Sequence, residues 1–295
     1  MQNPALTIVI PVFNEKENLP HFIPKLVEFC QAQGWKLIFV DDGSTDGSGA
    51  YLNDLVDYEN VKIVHHKLNR GYGGALKTGI ACVDTDYMVT LDADGQHDIQ
   101  DVATMYQFAV EQDADLVVGN RGKNGDANLY RAIGKKLIRI FTKALMPLPV
   151  SDLNSGFKLY RTDLAKRYQL ICPNSMSFSD VITLVFIHKR ARVLEYPIKI
   201  YPRNMGSSTI NTYTALQTVM EILNIILLFN PLRILLPVSA FFIFLGFLWG
   251  TLIYFIWWQG LSVAAMLLII TGLILFVLGL LANQISAMRM EQLEK

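Results

Sequence analysis

Cysteine is scarce in this 295-residue chain: Cys30, Cys82 and Cys172 are odd in number and widely spaced. No Cys-x-x-Cys pair occurs, which excludes a disulfide framework and a zinc knuckle and leaves buried thiols in a reducing compartment. An excess of either charge is also missing, with 26 Lys and Arg against 26 Asp and Glu. A general nucleic-acid binder needs a basic surplus, so nucleic acid is excluded as a partner. The five histidines (His21, His65, His66, His97, His188) show no metal-ligand spacing, and the Gly-x-Ser-x-Gly elbow of a serine hydrolase is absent. No basic run precedes the first apolar stretch. Leu6–Phe13 is strand-length and interrupted by Pro11, so it reads as a strand and not as a signal peptide.

Charge is lacking most conspicuously near the end of the chain. From Ile234 to Met288 there is no Asp, Glu, Lys or Arg, which explains a positive mean hydropathy of +0.30. Ile234–Trp258 and Leu261–Ala282 are two uncharged runs, each longer than the ~17 residues at the lower limit for crossing a hydrocarbon core. Gln259-Gly260 is the only polar break, which predicts a tight transmembrane hairpin with Trp257 and Trp258 at the interface. Arg233 precedes the pair, and Arg289 and Lys295 follow it. The positive-inside tendency therefore places both chain ends in the cytoplasm.

Two further stretches look membrane-proximal. Ile133–Leu145 sets Lys135, Lys136, Arg139 and Lys143 beside apolar residues, a basic amphipathic helix suited to anionic headgroups. Thr212–Phe229 is nearly all apolar, with Glu221 its only charge, and suits an interfacial position or contact with another subunit. The expected organisation is a catalytic domain over 1–211, a juxtamembrane interfacial helix over 212–230, and over 231–295 the hairpin with a short cytoplasmic tail. Homo-oligomerisation would use the juxtamembrane and transmembrane helices.

The first part alternates short β-branched runs with helical patterns. Leu6–Val12, Lys36–Val40, Val61–His66, Tyr87–Leu91 and Asp115–Gly119 read as strands, with helices near Glu17–Gln33, Gly47–Val56, Gly74–Val83 and Ile99–Gln112. This predicts an α/β, mostly parallel, doubly wound sheet. Gly156–Tyr160 and Val193–Tyr201 are less regular and admit antiparallel pieces.

Ligands of open α/β sheets bind beyond the carboxyl ends of the strands. There the sequence offers Pro11-Val-Phe-Asn-Glu15, Asp41-Asp42-Gly-Ser-Thr-Asp-Gly47 and Asp92-Ala-Asp94-Gly-Gln96-His97. Asp42 and Glu15 suit hydrogen bonds to a ribose or a base edge, whereas Asp46 suits capping of the next helix. Asp92 and Asp94 are spaced to share a Mg²⁺ or Mn²⁺ with a diphosphate, and Gln96 adds a neutral oxygen. Gly71-Tyr-Gly-Gly74-Ala-Leu-Lys77-Thr-Gly79 is neither a Rossmann nor a P-loop glycine motif; it reads as a close-approach helix start with Arg70 and Lys77 near phosphate.

In order, Ile8-Val-Ile-Pro-Val-Phe-Asn-Glu15, Val40-Asp-Asp-Gly-Ser-Thr-Asp46, Asp92-Ala-Asp-Gly-Gln-His97 and Ser155-Gly-Phe-Lys-Leu-Tyr-Arg161 resemble the family 2 glycosyltransferases of GT-A fold. More narrowly, nearly the whole chain resembles the polyprenyl-phosphate glycosyltransferases, the dolichyl-phosphate mannose synthase and bactoprenol glucosyltransferase group. The resemblance implies a membrane-anchored, inverting hexosyltransferase of the bacterial inner membrane that moves a sugar from a nucleotide sugar to polyprenyl phosphate. UDP-glucose is the expected donor, with GDP-mannose and UDP-N-acetylhexosamine as alternatives. It further implies that Pro11, Phe13, Glu15, Val40 and Asp42 hold the nucleoside, and that Asp92, Ala93, Asp94 and Gln96 surround the metal and diphosphate. Arg121 and Arg203 would meet donor phosphates, Arg131 and Lys135 the acceptor phosphate, and Asp152 would lie near the reacting centre.

Two departures stand out. Asp98 replaces a common Pro after His97, and Ser208-Thr209 stands where a Lys usually follows the Ser. A processive polysaccharide synthase would carry a Gln-x-x-Arg-Trp motif and more membrane helices. A non-catalytic, membrane-tethered nucleotide-sugar-binding partner would have no chemical need for Asp92, Asp94 and Gln96 together.

Overall fold

The computed structural model describes residues 6–122, 149–201, 231–257 and 262–291. They fall into two compact units, an α/β unit and a helical hairpin.

In the α/β unit the chain runs β1 (Leu6–Val12), α1 (Leu19–Gln33), β2 (Lys36–Asp41), α2 (Ser48–Asn53), β3 (Val61–His65), α3 (Tyr72–Cys82), β4 (Tyr87–Thr90), α4 (Ile99–Glu111) and β5 (Leu116–Asn120). After residue 149 come β6 (Lys158–Arg161), α5 (Thr162–Tyr168), α6 (Phe178–His188) and β7 (Val193–Pro197). The described strands form one seven-stranded sheet, ordered β3-β2-β1-β4-β6-β5-β7. All pairings are parallel except those of β6, which runs antiparallel to both β4 and β5. The mostly parallel α/β expectation is thus met, with one reversed strand inserted beside the centre.

Alternation along β1 assigns the two faces. Leu6, Ile8, Ile10 and Val12 join the apolar cluster that takes in α1 and α4 residues such as Phe22, Leu26, Val102 and Met105. Val9 points the other way and meets α3 at Gly79, where a Cβ would collide with its Cγ1. The glycine therefore lets α3 lie close to β1 and β2, which brings the N-terminus of α3 to the carboxyl edge of the sheet.

The expected strand over Val193–Tyr201 stops at Pro197; beyond it only an isolated bridge pairs Ile200 with His97. The helices α5 and α6 were not anticipated. α6 buries Phe178, Ile182 and Phe186, and its apolar run is too continuous to declare a helical face.

The second unit is α7 (Pro231–Trp257) against α8 (Val263–Glu291). Both are long and apolar enough to cross a membrane, and only 11% and 17% of their apolar windows are buried, unlike the core helices of a soluble protein. Close packing uses small residues: Ser239 Oγ donates to the Gly272 carbonyl at 2.9 Å, while Gly246 and Gly272 face Ile269 and Ile243. The helices exceed the uncharged runs, starting at Pro231 ahead of Arg233 and continuing past Ala282 to Glu291. Loss of hydrophobicity ends a membrane span but does not end a helix.

Candidate active site

Three strand ends build a cleft of about 310 Å³ lined by Pro11, Phe13, Glu15, Asp42, Tyr72, Asp92, Ala93 and Asp94, with Asn69 and Met176 at other points of its wall. Six of the sequence-derived nucleoside and diphosphate residues outside Asp94 therefore meet in one place, together with Asp94 itself. The loop after β1 is fixed by the loop after β2. Asn14, at φ 55°, accepts from the Thr45 N–H through Oδ1, and its own N–H donates to Ser44 Oγ at 3.0 Å. Glu15 N–H donates to Ser48 Oγ at 3.0 Å, and Lys16 N–H to Asp46 Oδ2 at 3.0 Å. Asp46 also accepts from the Ser48 N–H at 2.9 Å, although the N-cap of α2 is Gly47 and not the expected aspartate.

Asp42 is only 2% exposed. Its Oδ1 faces His66 Nδ1 at 2.6 Å and accepts from the Arg70 N–H at 2.9 Å, while Oδ2 accepts from the Gly71 N–H at 2.9 Å. The carboxylate thereby ties the end of β2 to the start of α3, in addition to lining the cleft. Its neighbour Asp41 pairs with His65 Nδ1 at 2.9 Å, so two successive aspartates meet two successive histidines at the ends of adjacent strands.

Val40 sits elsewhere. It is fully buried one residue before the strand end, packed toward Gly79 on the α3 side, and does not line the cleft. Lys77 Nζ donates to Asn174 Oδ1 at 2.9 Å and is absent from the cleft lining.

At the end of β4, Asp92 Oδ1 accepts from the Tyr72 hydroxyl at 3.0 Å, and burial beside Asp92 pushes that phenol well above its ordinary pKa. The other Asp92 oxygen lies against Gly156, where any Cβ would strike the carboxylate. Asp94 Oδ1 accepts from the Gln96 N–H at 3.1 Å, closing the turn. His97 is buried against Phe157, and its Nδ1 has no hydrogen-bond partner among the described residues; burial lowers its pKa. Asp98 caps α4 by accepting from the Gln100 N–H at 3.0 Å and also accepts from the Tyr201 hydroxyl at 3.1 Å.

Among the described residues no three His, Cys, Asp or Glu side chains gather as a metal cage. The donor set nevertheless fits a divalent ion of the kind carried by diphosphates. Such an ion takes one or two carboxylates and completes its shell with phosphate oxygens and water. Asp92 and Asp94 both line the cleft.

Beside the end of β5, Arg121 Nε and Nη2 donate to Asp152 Oδ2 and Oδ1 at 2.7 and 2.8 Å. The hydrogen bonds to Asp152 hold the guanidinium above its usual pKa despite partial burial. Glu195 Oε1 fixes the same loop, accepting from the Ser151 and Asp152 N–H groups at 2.7 and 3.1 Å. Under it lies Lys158 on β6, wholly buried, which the sequence reading passed over. Arg131, Lys135, Arg203, the basic stretch Ile133–Leu145, the segment Thr212–Phe229, the Gln259-Gly260 turn and the indoles of Trp257 and Trp258 lie outside the described residues.

Residues 7–169 match the model of glycosyl transferase family 2, and residues 230–288 match the GtrB C-terminal hairpin. The undecaprenyl-phosphate 4-deoxy-4-formamido-L-arabinose transferase of Proteus mirabilis is 27% identical over 252 residues, covering 84% of this chain and 75% of the relative. The protein of the same name from Sodalis glossinidius is 28% identical over 257 residues, covering 86% and 77%. Glucosyl-3-phosphoglycerate synthase of Mycobacterium tuberculosis, solved with Mn²⁺, UDP and phosphoglyceric acid, superposes with a TM-score of 0.60 at 15% identity, covering 76% of this chain and 78% of that one. TarS 1–349 of S. aureus, solved with UDP, gives a TM-score of 0.51 at 16% identity, covering 76% and 65%. The chain belongs to glycosyl transferase family 2 and is a glycosyltransferase with a C-terminal apolar hairpin.

Proposed function

We propose that this protein transfers a sugar from a nucleoside diphosphate to undecaprenyl phosphate at the cytoplasmic face of the membrane, with UDP-glucose as the donor. The observation that carries the reading is the single cleft lined by Pro11, Phe13, Glu15, Asp42, Asp92 and Asp94, in a chain that ends in an apolar hairpin. The relatives named as undecaprenyl-phosphate transferases support the acceptor, and the UDP held by proteins of the same fold supports the nucleoside. Residues 1–211 would form the catalytic domain, 212–230 an interfacial helix, and 231–295 the anchor with both chain ends cytoplasmic.

Pro11, Phe13, Glu15 and Asp42 would hold the nucleoside. Asp92 and Asp94, with Gln96, would hold Mg²⁺ or Mn²⁺ against the diphosphate. When bound, that ion stabilises the negative charge that grows on the departing nucleoside diphosphate. The acceptor phosphate is already anionic, so its oxygen attacks the anomeric carbon without a strong base, and one displacement inverts that centre. Asp152, which accepts a two-pronged hydrogen bond from Arg121, orients the guanidinium instead of removing a proton. Arg121 and Arg203 would then face donor phosphate, and Arg131 and Lys135 the lipid phosphate.

The test uses the purified full chain in detergent with undecaprenyl phosphate and radiolabelled UDP-glucose, UDP-N-acetylglucosamine, GDP-mannose and the UDP derivative of 4-deoxy-4-formamido-L-arabinose. Lipid-extractable label from UDP-glucose is the expected result. Label only from the formamido sugar would move the donor to that of the named relatives. No lipid label from any donor would overturn the reading.

A further inference from the structure

Below the reacting centre lies a charge that neither the nucleoside nor the metal accounts for. Lys158 stands on β6 between β4 and β5, 0% exposed. Its Nζ donates to the Leu153 carbonyl at 2.7 Å and to the Ser179 carbonyl. Leu153 directly follows Asp152, whose carboxylate grips Arg121. Ser179 lies in the first turn of α6, and its side chain hydrogen-bonds Tyr72, the phenol that donates to Asp92. One ammonium thus joins the backbone beneath the Arg121–Asp152 pair to the backbone beneath the Tyr72–Asp92 pair.

Packing alone does not explain a lysine here. A buried ammonium must give up its hydration, and an apolar side chain of similar volume is often as stable or more so. Asp180 and Asp152 favour the charge, but burial outweighs them and pulls the Lys158 pKa down to about 8. What the lysine supplies is three donors radiating from one point, which no apolar residue offers.

We propose, on the basis of the transfer reaction read above, that Lys158 is a positioning residue that sets the Arg121–Asp152 pair against the Tyr72–Asp92 pair through the Leu153 and Ser179 carbonyls. In that reading both pairs face the donor diphosphate, so their spacing governs how the leaving group is held while the acceptor phosphate attacks the anomeric carbon. Misplacement of reacting groups by an ångström can cost about 10²-fold in rate.

The experiment compares wild type, Lys158→Met, Tyr72→Phe and the double variant as full chains in detergent, with UDP-glucose and undecaprenyl phosphate as substrates. Calorimetric binding of UDP in the presence of Mn²⁺ is the second readout. Lys158→Met is expected to lower kcat by roughly 10²-fold while the UDP dissociation constant stays within about threefold. The double variant should be little slower than Lys158→Met, because both changes break one connection. Wild-type kcat in Lys158→Met, an equal loss of kcat and UDP affinity, or fully additive losses in the double variant would each overturn the proposal. If Lys158→Met does not fold, Lys158→Gln, which keeps a donor for one carbonyl, replaces it under the same criteria. A wild-type protein that transfers nothing would instead overturn the transfer reading itself.

Discussion

Arg121 and Asp152 meet fork to fork, with guanidinium Nε and Nη2 at 2.7 and 2.8 Å from the two oxygens of one carboxylate. A third hydrogen bond, from the Arg121 backbone N–H, reaches the same carboxylate at 3.4 Å. This doubly bonded pair commits both partners to one geometry.

Arg121→Lys tests that geometry, because an ammonium is a point charge and cannot reproduce the fork. Loss of one charge-assisted hydrogen bond, about 1.5–3 kcal/mol, corresponds to a kcat/KM roughly 10- to 150-fold lower. Steady-state kinetics check it. Loss of less than twofold would show that only the positive charge matters there.

Asp42 lines the cleft and also carries a structural duty, so its removal should register in stability. Asp42→Ala strips partners from His66 Nδ1 and from the Arg70 N–H, while the Gly71 N–H keeps Asn69 Oδ1. Each stranded buried donor costs about 1–3 kcal/mol. A lower unfolding midpoint together with weaker UDP binding is expected from differential scanning fluorimetry and calorimetry. Weaker binding at unchanged stability would refute the structural duty.

Gly156→Ala is expected to behave in the opposite way. The new methyl would lie against the Asp92 carboxylate and turn it away from Tyr72. Because the crowding falls on a carboxylate that lines the cleft, Mn²⁺ affinity in the presence of UDP should fall by about 10- to 100-fold, the usual effect of disturbing a ligand's supporting contacts. Electron paramagnetic resonance of bound Mn²⁺ measures this directly, and an unchanged spectrum at equal metal would count against Asp92 as a ligand.

The hairpin prediction concerns Gly272, whose Cα faces Ile243 and the Ser239 carbonyl. Gly272→Leu should separate α7 from α8 and break the Ser239–Gly272 hydrogen bond. Detergent-solubilised protein should lose thermal stability while UDP binding by the α/β unit persists. Equal loss of both would show that the two units do not behave separately.

Much of the cleft was legible because its residues follow strand ends, where Pro11-Val-Phe-Asn-Glu15 and Asp92-Ala-Asp94 are punctuated by turn formers. Residue type gives no cue to strand face, so the burial of Val40 against Gly79 on the α3 side was not legible. The His66 partner of Asp42 was invisible in sequence, since the contact arises from strand pairing of β2 with β3. Lys158 did leave a signal: a lone lysine among Phe157, Leu159 and Tyr160 in a strand is costly to bury and calls for acceptors. Those acceptors are backbone carbonyls on segments distant in sequence, which only the fold brings together.

The most direct test of the account is transfer of radiolabel from UDP-glucose to undecaprenyl phosphate by the purified full chain, run with Mg²⁺ or Mn²⁺, with EDTA, and with Asp94→Asn. The account predicts label in the lipid extract that disappears with EDTA and falls by at least about 10²-fold in Asp94→Asn, with the variant still folded. Lipid-linked label that persists under EDTA, or that Asp94→Asn forms at the wild-type rate, would contradict it.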